Sequence, residues 1–137
     1  MNGLVELELR DAVYRLTRDG SEAGIAEIRR VREALEAYIG DHPEFGSSFV
    51  PVAADEGAPE PVVEMVEAGR AAGVGPMAAV AGAVAECAAR ATAASGDGEA
   101  IVDNGGDLFI IAARAIVVGR YPGDTGTPGV SGSDASE

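Results

Sequence analysis

The chain has 137 residues, with 23 acidic residues against 10 basic ones and a formal net charge of -13. Every basic residue is arginine, and the acidic excess argues against binding to nucleic acid or to an anionic membrane surface. The hydrophobic content of 47% is nevertheless enough to build one core. Glutamate-rich acidity without lysine favours adaptation to a salt-rich cytoplasm over a high-GC genome as its origin.

The single cysteine, Cys87, excludes an internal disulfide and predicts a cytoplasmic protein. The first 13 residues are acidic and do not resemble a signal peptide. The uncharged stretch Val74–Ala85 is too short and too rich in Ala and Gly to span a membrane, which needs about 20 strongly apolar residues.

The N-terminal half predicts strands followed by a helix. Alternation at Val5, Leu7 and Leu9 indicates a strand, and Ala12–Thr17 either continues it or forms a second one. Apolar residues then recur at helical spacing to about Gly40, with Ser21 as the expected N-cap. On this helix Arg29, Arg30 and Arg32 alternate with glutamates, which indicates a solvated face.

Residues 41–58 contain prolines and small residues and are predicted to be irregular; His42 is expected to cap helix carbonyls rather than to act in catalysis. Pro59 and Pro61 suit the first turn of a second helix, which we expect to end at Gly73. Pro76 suits the first turn of a third helix, buried because it is apolar on nearly all sides, which emerges at Glu86 and Arg90.

The C-terminal part predicts a hairpin. The apolar runs 100–102 and 108–111 flank the turn Asp103–Asp107, and 115–118 suit a third strand of this region. Residues 121–137 lack periodicity and are expected to be a disordered acidic tail. The predicted fold class is therefore α+β, a small antiparallel sheet packed with about three helices, with residues 1–120 forming the domain.

Two glycine-containing segments are candidate binding sites. The segment 73–78 enters a helix and could seat an anion on its backbone N–H groups, or its glycines could merely end one helix and let two helices approach. The turn 103–107 could let a ligand lie against its main chain, with Asp103 and Asp107 holding a cation, or could be an ordinary hairpin turn. Spacing alone favours the structural alternative for both segments.

Three segments together carry a resemblance to a known family. His42–Phe45, the run Ala72–Ala83 and Val102–Asp107 occur in the order and spacing of the uncharacterised ApbE-like family of archaea and bacteria, often labelled thiamine-biosynthesis-like. The resemblance covers roughly residues 10–113, and the sequence GVGPMAAVAGA is its most specific part. The usual Glu before Asn-Gly-Gly-Asp is Asp103 here.

The resemblance implies a fold akin to ApbE, the FAD:protein FMN transferase, which binds FAD with magnesium and moves FMN onto a protein threonine. Gly75–Gly82 would correspond to its helix entry, and Gly105–Asp107 to its Gly-Gly-Asp turn beside the flavin. The implied flavin-binding residues are Gly73, Gly75, Pro76, Met77, Ala78, Gly82, Asn104, Gly105, Gly106 and Asp107. The implied metal ligands are Asp103 and Asp107.

Two departures predict that the chain alone is not a competent transferase. Ala81-Gly82 stands where ApbE has a lysine-glycine pair, and the C-terminal half that supplies metal ligands in ApbE has no counterpart after Arg114. We therefore expect a cytoplasmic ApbE-like protein with a flavin- or nucleotide-binding site. The alternatives are a non-catalytic subunit that oligomerises or pairs with a polypeptide carrying the missing half, and a role in sulfur assimilation.

Overall fold

The structure is a computed structural model and describes residues 3–112. The elements in chain order are β1 (Leu4–Leu9), β2 (Ala12–Thr17), α1 (Ser21–Asp41), α2 (Pro43–Ser47), α3 (Glu60–Ala72), a 3-10 helix (Pro76–Ala79), α4 (Val80–Ser95), β3 (Ala100–Asn104) and β4 (Asp107–Ile111). The predicted α+β class with a small antiparallel sheet is confirmed. The predicted strand at 115–118, the predicted domain end at residue 120 and the predicted tail at 121–137 lie outside the described residues.

The four strands form one antiparallel sheet in the order β1-β2-β3-β4. Ala12–Thr17 is a second strand because the chain reverses at Arg10 and Asp11, so that Leu9 pairs with Ala12. Arg10 adopts a positive φ of 47°, which is unusual for a residue other than Gly, Asn or Asp. Alternate residues share a face, so Leu7 and its cross-strand partner Tyr14 face the same side of the sheet.

Helix α1 buries Ile28, Val31 and Leu35, the apolar stripe that its sequence periodicity predicts. The expected N-cap role of Ser21 is wrong. Ser21 is the first helical residue, and the position before it is Gly20 with a φ of 81° and no side-chain cap. A side chain at position 20 would lie 2.1 Å from the Thr92 carbonyl oxygen, so this position serves the close approach of α1 and α4.

The region predicted to be irregular contains the short helix α2, which begins at Pro43 and buries Phe45. The loop after it is fastened to α1 through His42. The ring of His42 stacks on Tyr38 at a centroid distance of 4.0 Å, and its Nε2 lies 2.5 Å from Oδ2 of Asp55. The Asp55 N–H also donates to the Tyr38 hydroxyl at 3.1 Å. The expectation that His42 caps a helix carbonyl is confirmed, because its Nδ1 lies 3.0 Å from the backbone carbonyl oxygen of Tyr38.

The helix predicted from Pro76 is a 3-10 turn followed by α4, which packs against α1 and the sheet. The prediction that this helix is buried because it is apolar on nearly all sides is wrong, since Ala78, Gly82 and Ala94 are exposed. Among residues 3–112, the stretch Pro76–Ser95 is long and apolar enough by composition to cross a membrane. Ala85, Ala88 and Ala89 on this stretch are fully buried inside the domain. Packing in the core of this domain therefore accounts for the apolar residues on the buried side of the stretch.

Candidate functional site

The end of β3, where the hairpin turn begins, lies against the first turn of α4. Asn104, the last residue of β3, donates from its Nδ2 to the carbonyl oxygen of Ala81 in the first turn of α4 at 3.1 Å. Asn104 is also the cross-strand partner of Tyr14 on β2. The contact joins the start of α4 to the hairpin.

A cavity of about 320 Å³ lies next to this contact. That volume is at the lower end of the range for small-molecule sites, roughly 300–1,000 Å³. Its lining is mainly apolar, with the polar groups of Tyr14, Arg32 and Asn104 among it. The remaining lining residues are Asp11, Ala12, Leu35, Glu36, Ile39, Met77, Val80, Ala81 and Val84. Of the residues implied by the resemblance, Met77 and Asn104 therefore line one cavity.

Tyr14 and Arg32 belong to this cavity, although no local sequence motif indicates either residue as part of a site. The Tyr14 side chain is almost completely buried, and its hydroxyl oxygen accepts a hydrogen bond from Nη1 of Arg32 at 2.8 Å. The prediction of a solvated face is therefore wrong for Arg32, whose side chain is only 22% exposed. It remains correct for Arg29 and Arg30, which are exposed.

The charges at the mouth of the cavity are paired. Nη2 of Arg32 lies 3.4 Å from a carboxylate oxygen of Asp11, and Glu36 accepts a hydrogen bond at 2.7 Å from Nη2 of Arg10, which lies outside the lining. Two cationic and two anionic side chains thus offset one another. This favours a ligand whose buried part is neutral over one that places a phosphate in the cavity.

Three residues of the helix-entry segment 73–78 have structural roles. Gly73 ends α3 in the left-handed conformation, with a φ of 76°, as predicted for a C-cap. Gly75 is buried, and a Cβ atom there would lie 1.9 Å from the Ser48 carbonyl oxygen. Pro76 begins the 3-10 helix and is buried, while Ala78 is exposed. These contacts support the structural alternative for Gly73 and Gly75.

The hairpin turn is built on two glycines with φ values of 61° at Gly105 and 107° at Gly106. Asp103 is buried, and its Oδ1 accepts from the Gly106 N–H at 2.8 Å. Its other oxygen lies 3.7 Å from Nη1 of Arg15. Each carboxylate oxygen of Asp103 therefore already has a partner within the protein.

The two predicted metal ligands do not converge. Asp107 pairs with Asn104 and shares its face of the sheet, whereas Asp103 lies on the opposite face by the alternation of β3. Across residues 3–112 there is no group of three or more His, Cys, Asp or Glu side chains arranged to hold a metal ion. The described residues therefore do not fit a magnesium ion, and we derive no step through one.

Gly82 and Asp107 meet in a second, shallower groove, between α3, α4 and the edge strand β4. Its lining includes Ala68, Ala83 and Phe109 and four acidic residues, which are Glu64, Glu67, Glu86 and Asp107. A Cβ atom on Gly82 would meet nothing within 4 Å. The groove is open and acidic, and it lies apart from the Tyr14 cavity.

Cys87 is half-buried in α4, as a small apolar residue would be. Burial raises the pKa of its thiol to about 11, and nearby carboxylates led by Glu64 add to the effect. The thiol therefore stays protonated at neutral pH, which disfavours thiolate chemistry and gives the sulfur-assimilation alternative no support from this residue.

Comparison with known proteins agrees with the resemblance at the level of the family. A family model described as "AbpE bacteria" matches residues 11–133. A UPF0280 protein of Methanosarcina acetivorans is 41% identical over 121 residues, which are 86% of this chain and 48% of that protein. A UPF0280 protein of Methanopyrus kandleri is 43% identical over 121 residues, 88% of this chain and 48% of the relative.

A UPF0280 protein of Archaeoglobus fulgidus is 40% identical over 101 residues, covering 74% of this chain and 42% of that protein. The chain therefore spans about half the length of the curated relatives it matches. The helix-entry segment and the hairpin turn that meet beside the Tyr14 cavity both fall within the matched range 11–133. On this match, the chain belongs to the AbpE bacteria family.

Proposed function

We propose that the chain binds a flavin, or a nucleotide of similar ring chemistry, in the cavity lined by Tyr14, Met77 and Asn104, and that it is not a competent FMN transferase by itself. The observation that carries the proposal is the 3.1 Å hydrogen bond between Asn104 and Ala81, which joins the hairpin to the first turn of α4 beside a mainly apolar cavity that Met77 also lines. An apolar cavity with a few convergent polar groups is the usual form of a small-molecule site.

The donor set fits the ring of a flavin better than its phosphates. Val80 and Val84 on α4 and Leu35 on α1 supply apolar walls for a planar ring, and Tyr14 and Asn104 supply polar groups within them. The paired charges at the mouth supply no surplus cation for a phosphate. A bound flavin would bring a redox-active or transferable ring system, while these residues bind and orient it.

The direct test titrates the full chain with FMN and with FAD, each with and without magnesium, and follows flavin fluorescence and the thermal unfolding temperature. Saturable binding with a rise in unfolding temperature supports the proposal. Ala81→Leu places a larger side chain in the cavity and should weaken binding. Its matched control is Ala94→Leu, at an exposed position on the same helix. No change with any flavin would overturn the proposal.

A second candidate function is a non-catalytic subunit, as an oligomer or paired with a polypeptide that supplies the other half of the relatives' length. Its support is the groove beside β4, which is an edge strand of the described sheet. Edge strands with unpaired backbone groups are common docking sites. Because acidic rims of two copies repel each other, self-association should increase with salt.

Size-exclusion chromatography with light scattering at low and high salt tests this second candidate. A chain that stays monomeric at all salt and protein concentrations, and that binds no second polypeptide from its native source, would count against this second candidate. Neither result bears on flavin binding, so the two candidate functions are tested separately.

A further inference from the structure

Two buried polar atoms of the Tyr14 cavity have hydrogen-bonding capacity that no group among residues 3–112 satisfies. The Tyr14 hydroxyl accepts from Arg32, yet within the described part of the chain no acceptor for its own proton is present. Asn104 donates from Nδ2 to Ala81, which leaves Oδ1, the acceptor atom of its amide, without a donor from residues 3–112. Buried polar groups are nearly always paired, so such atoms point to a ligand.

The two atoms belong to neighbouring side chains. Tyr14 and Asn104 are direct cross-strand partners of β2 and β3, and both line the cavity. Directly opposite residues on one face of an antiparallel pair have Cβ atoms about 4.5–5.5 Å apart. One ligand edge can therefore meet a hydroxyl donor and an amide acceptor together.

Arg32 determines which way the Tyr14 hydroxyl acts. Because an arginine has only donors, the hydroxyl oxygen must accept from it, and the hydroxyl proton is directed elsewhere. The cavity thus presents one donor from Tyr14 and one acceptor from Asn104. The complementary ligand edge carries a carbonyl oxygen next to an N–H group.

We propose that Tyr14 and Asn104 recognise the cyclic imide edge of a planar heterocycle, with the Tyr14 hydroxyl donating to an imide carbonyl and Asn104 Oδ1 accepting from the imide N–H. Arg32 is the positioning residue that orients the hydroxyl. The inference rests on the proposed function and deepens it, because the flavin ring carries such an edge. It assigns the specificity of the site to the ring rather than to the phosphate chain.

The test compares riboflavin with N3-methylriboflavin, in which the imide N–H is replaced, by fluorescence titration of the full chain. Loss of one hydrogen bond is worth roughly tenfold in affinity, so the methyl analogue should bind at least that much more weakly. Asn104→Ala should remove this preference for riboflavin, a change that a purely structural role would not produce. Equal binding of both ligands to the wild-type chain would overturn the inference while leaving flavin binding intact.

The tyrosine is tested separately. Tyr14→Phe should weaken riboflavin binding by roughly tenfold. Tyr38→Phe is the matched control, since Tyr38 is also a buried tyrosine whose hydroxyl accepts one hydrogen bond, but it lies outside the cavity. Equal affinities of the two variants would contradict the role of Tyr14. If neither riboflavin nor N3-methylriboflavin binds the wild-type chain, the proposed function fails and this inference fails with it.

Discussion

Individual glycines in this chain serve different physical requirements. Gly24 lies inside α1 where the helix crosses α4, and a Cβ atom there would lie 2.1 Å from Oγ1 of Thr92 and 2.7 Å from a methyl group of Leu16. Gly82 lies inside α4, where a Cβ atom would meet open space. Composition alone does not distinguish these positions, because the requirement of Gly24 arises from a helix crossing between segments almost 70 residues apart.

Alanine at these two positions should have opposite effects on stability. Gly24→Ala should lower the free energy of unfolding by about 1–3 kcal/mol, because overpacking outweighs the gain in helix propensity. Gly82→Ala should raise it by up to about 1 kcal/mol, since only the propensity changes. Urea unfolding of both variants and the wild-type chain measures the difference. Equal effects of the two substitutions would contradict the helix crossing described above.

At the candidate site, residues that belong to local sequence motifs could be predicted from the sequence. Residues that reach the site only through strand pairing could not. Asn104 and Met77 belong to recognisable segments, whereas Tyr14 reaches the site only because β2 pairs with β3. The alternation of Arg32 with glutamates along α1 predicts an exposed side chain. The burial of Arg32 depends on Tyr14, a residue whose position opposite α1 no local pattern indicates.

At the scale of elements, periodicity predicted α1, α3 and the β3–β4 hairpin. Periodicity does not predict elements that are too short to show it. Helix α2 has only five residues, and the prolines around it are also typical of loops. The chain reverses between β1 and β2 with Arg10 at a positive φ, and the sequence there has no glycine or asparagine that would indicate such a turn.

The loop after α2 is held by an interaction that depends on pH. The hydrogen bond to Asp55, aided by that to the Tyr38 carbonyl, raises the pKa of His42 above its ordinary 6.5. A group whose pKa is raised by folding stabilises the folded state fully below its unfolded pKa. The stabilisation is lost as the pH rises through the higher folded pKa. The loop should therefore be held more firmly at pH 6 than at pH 9.

Since the chain has a single histidine, proton NMR reports its titration directly. We expect an apparent pKa above 6.5 in the wild-type chain, and a lower value in Asp55→Asn, which removes the carboxylate. Glu56→Gln, at the adjacent exposed carboxylate, is the control and should leave the titration unchanged. A wild-type value at or below 6.5 would contradict the contact.

At the scale of the whole molecule, composition predicted one core and the absence of a basic surface. The resemblance predicted a fold and a family, and the family is confirmed by the match over residues 11–133. Flavin binding and the separation from transferase activity remain proposals. The chain matches about half of its relatives' length.

The location of flavin binding can be measured with methyl-labelled methionine. Met77 lines the Tyr14 cavity, whereas Met65 is fully buried on α3 outside it and serves as an internal control. Carbon-13 NMR of the methionine methyl groups, assigned with Met77→Leu, follows both residues during a riboflavin titration. We expect a saturable shift of the Met77 methyl signal with the Met65 signal unchanged. Riboflavin binding that leaves Met77 unshifted, or no binding at all, would contradict flavin binding in the Tyr14 cavity.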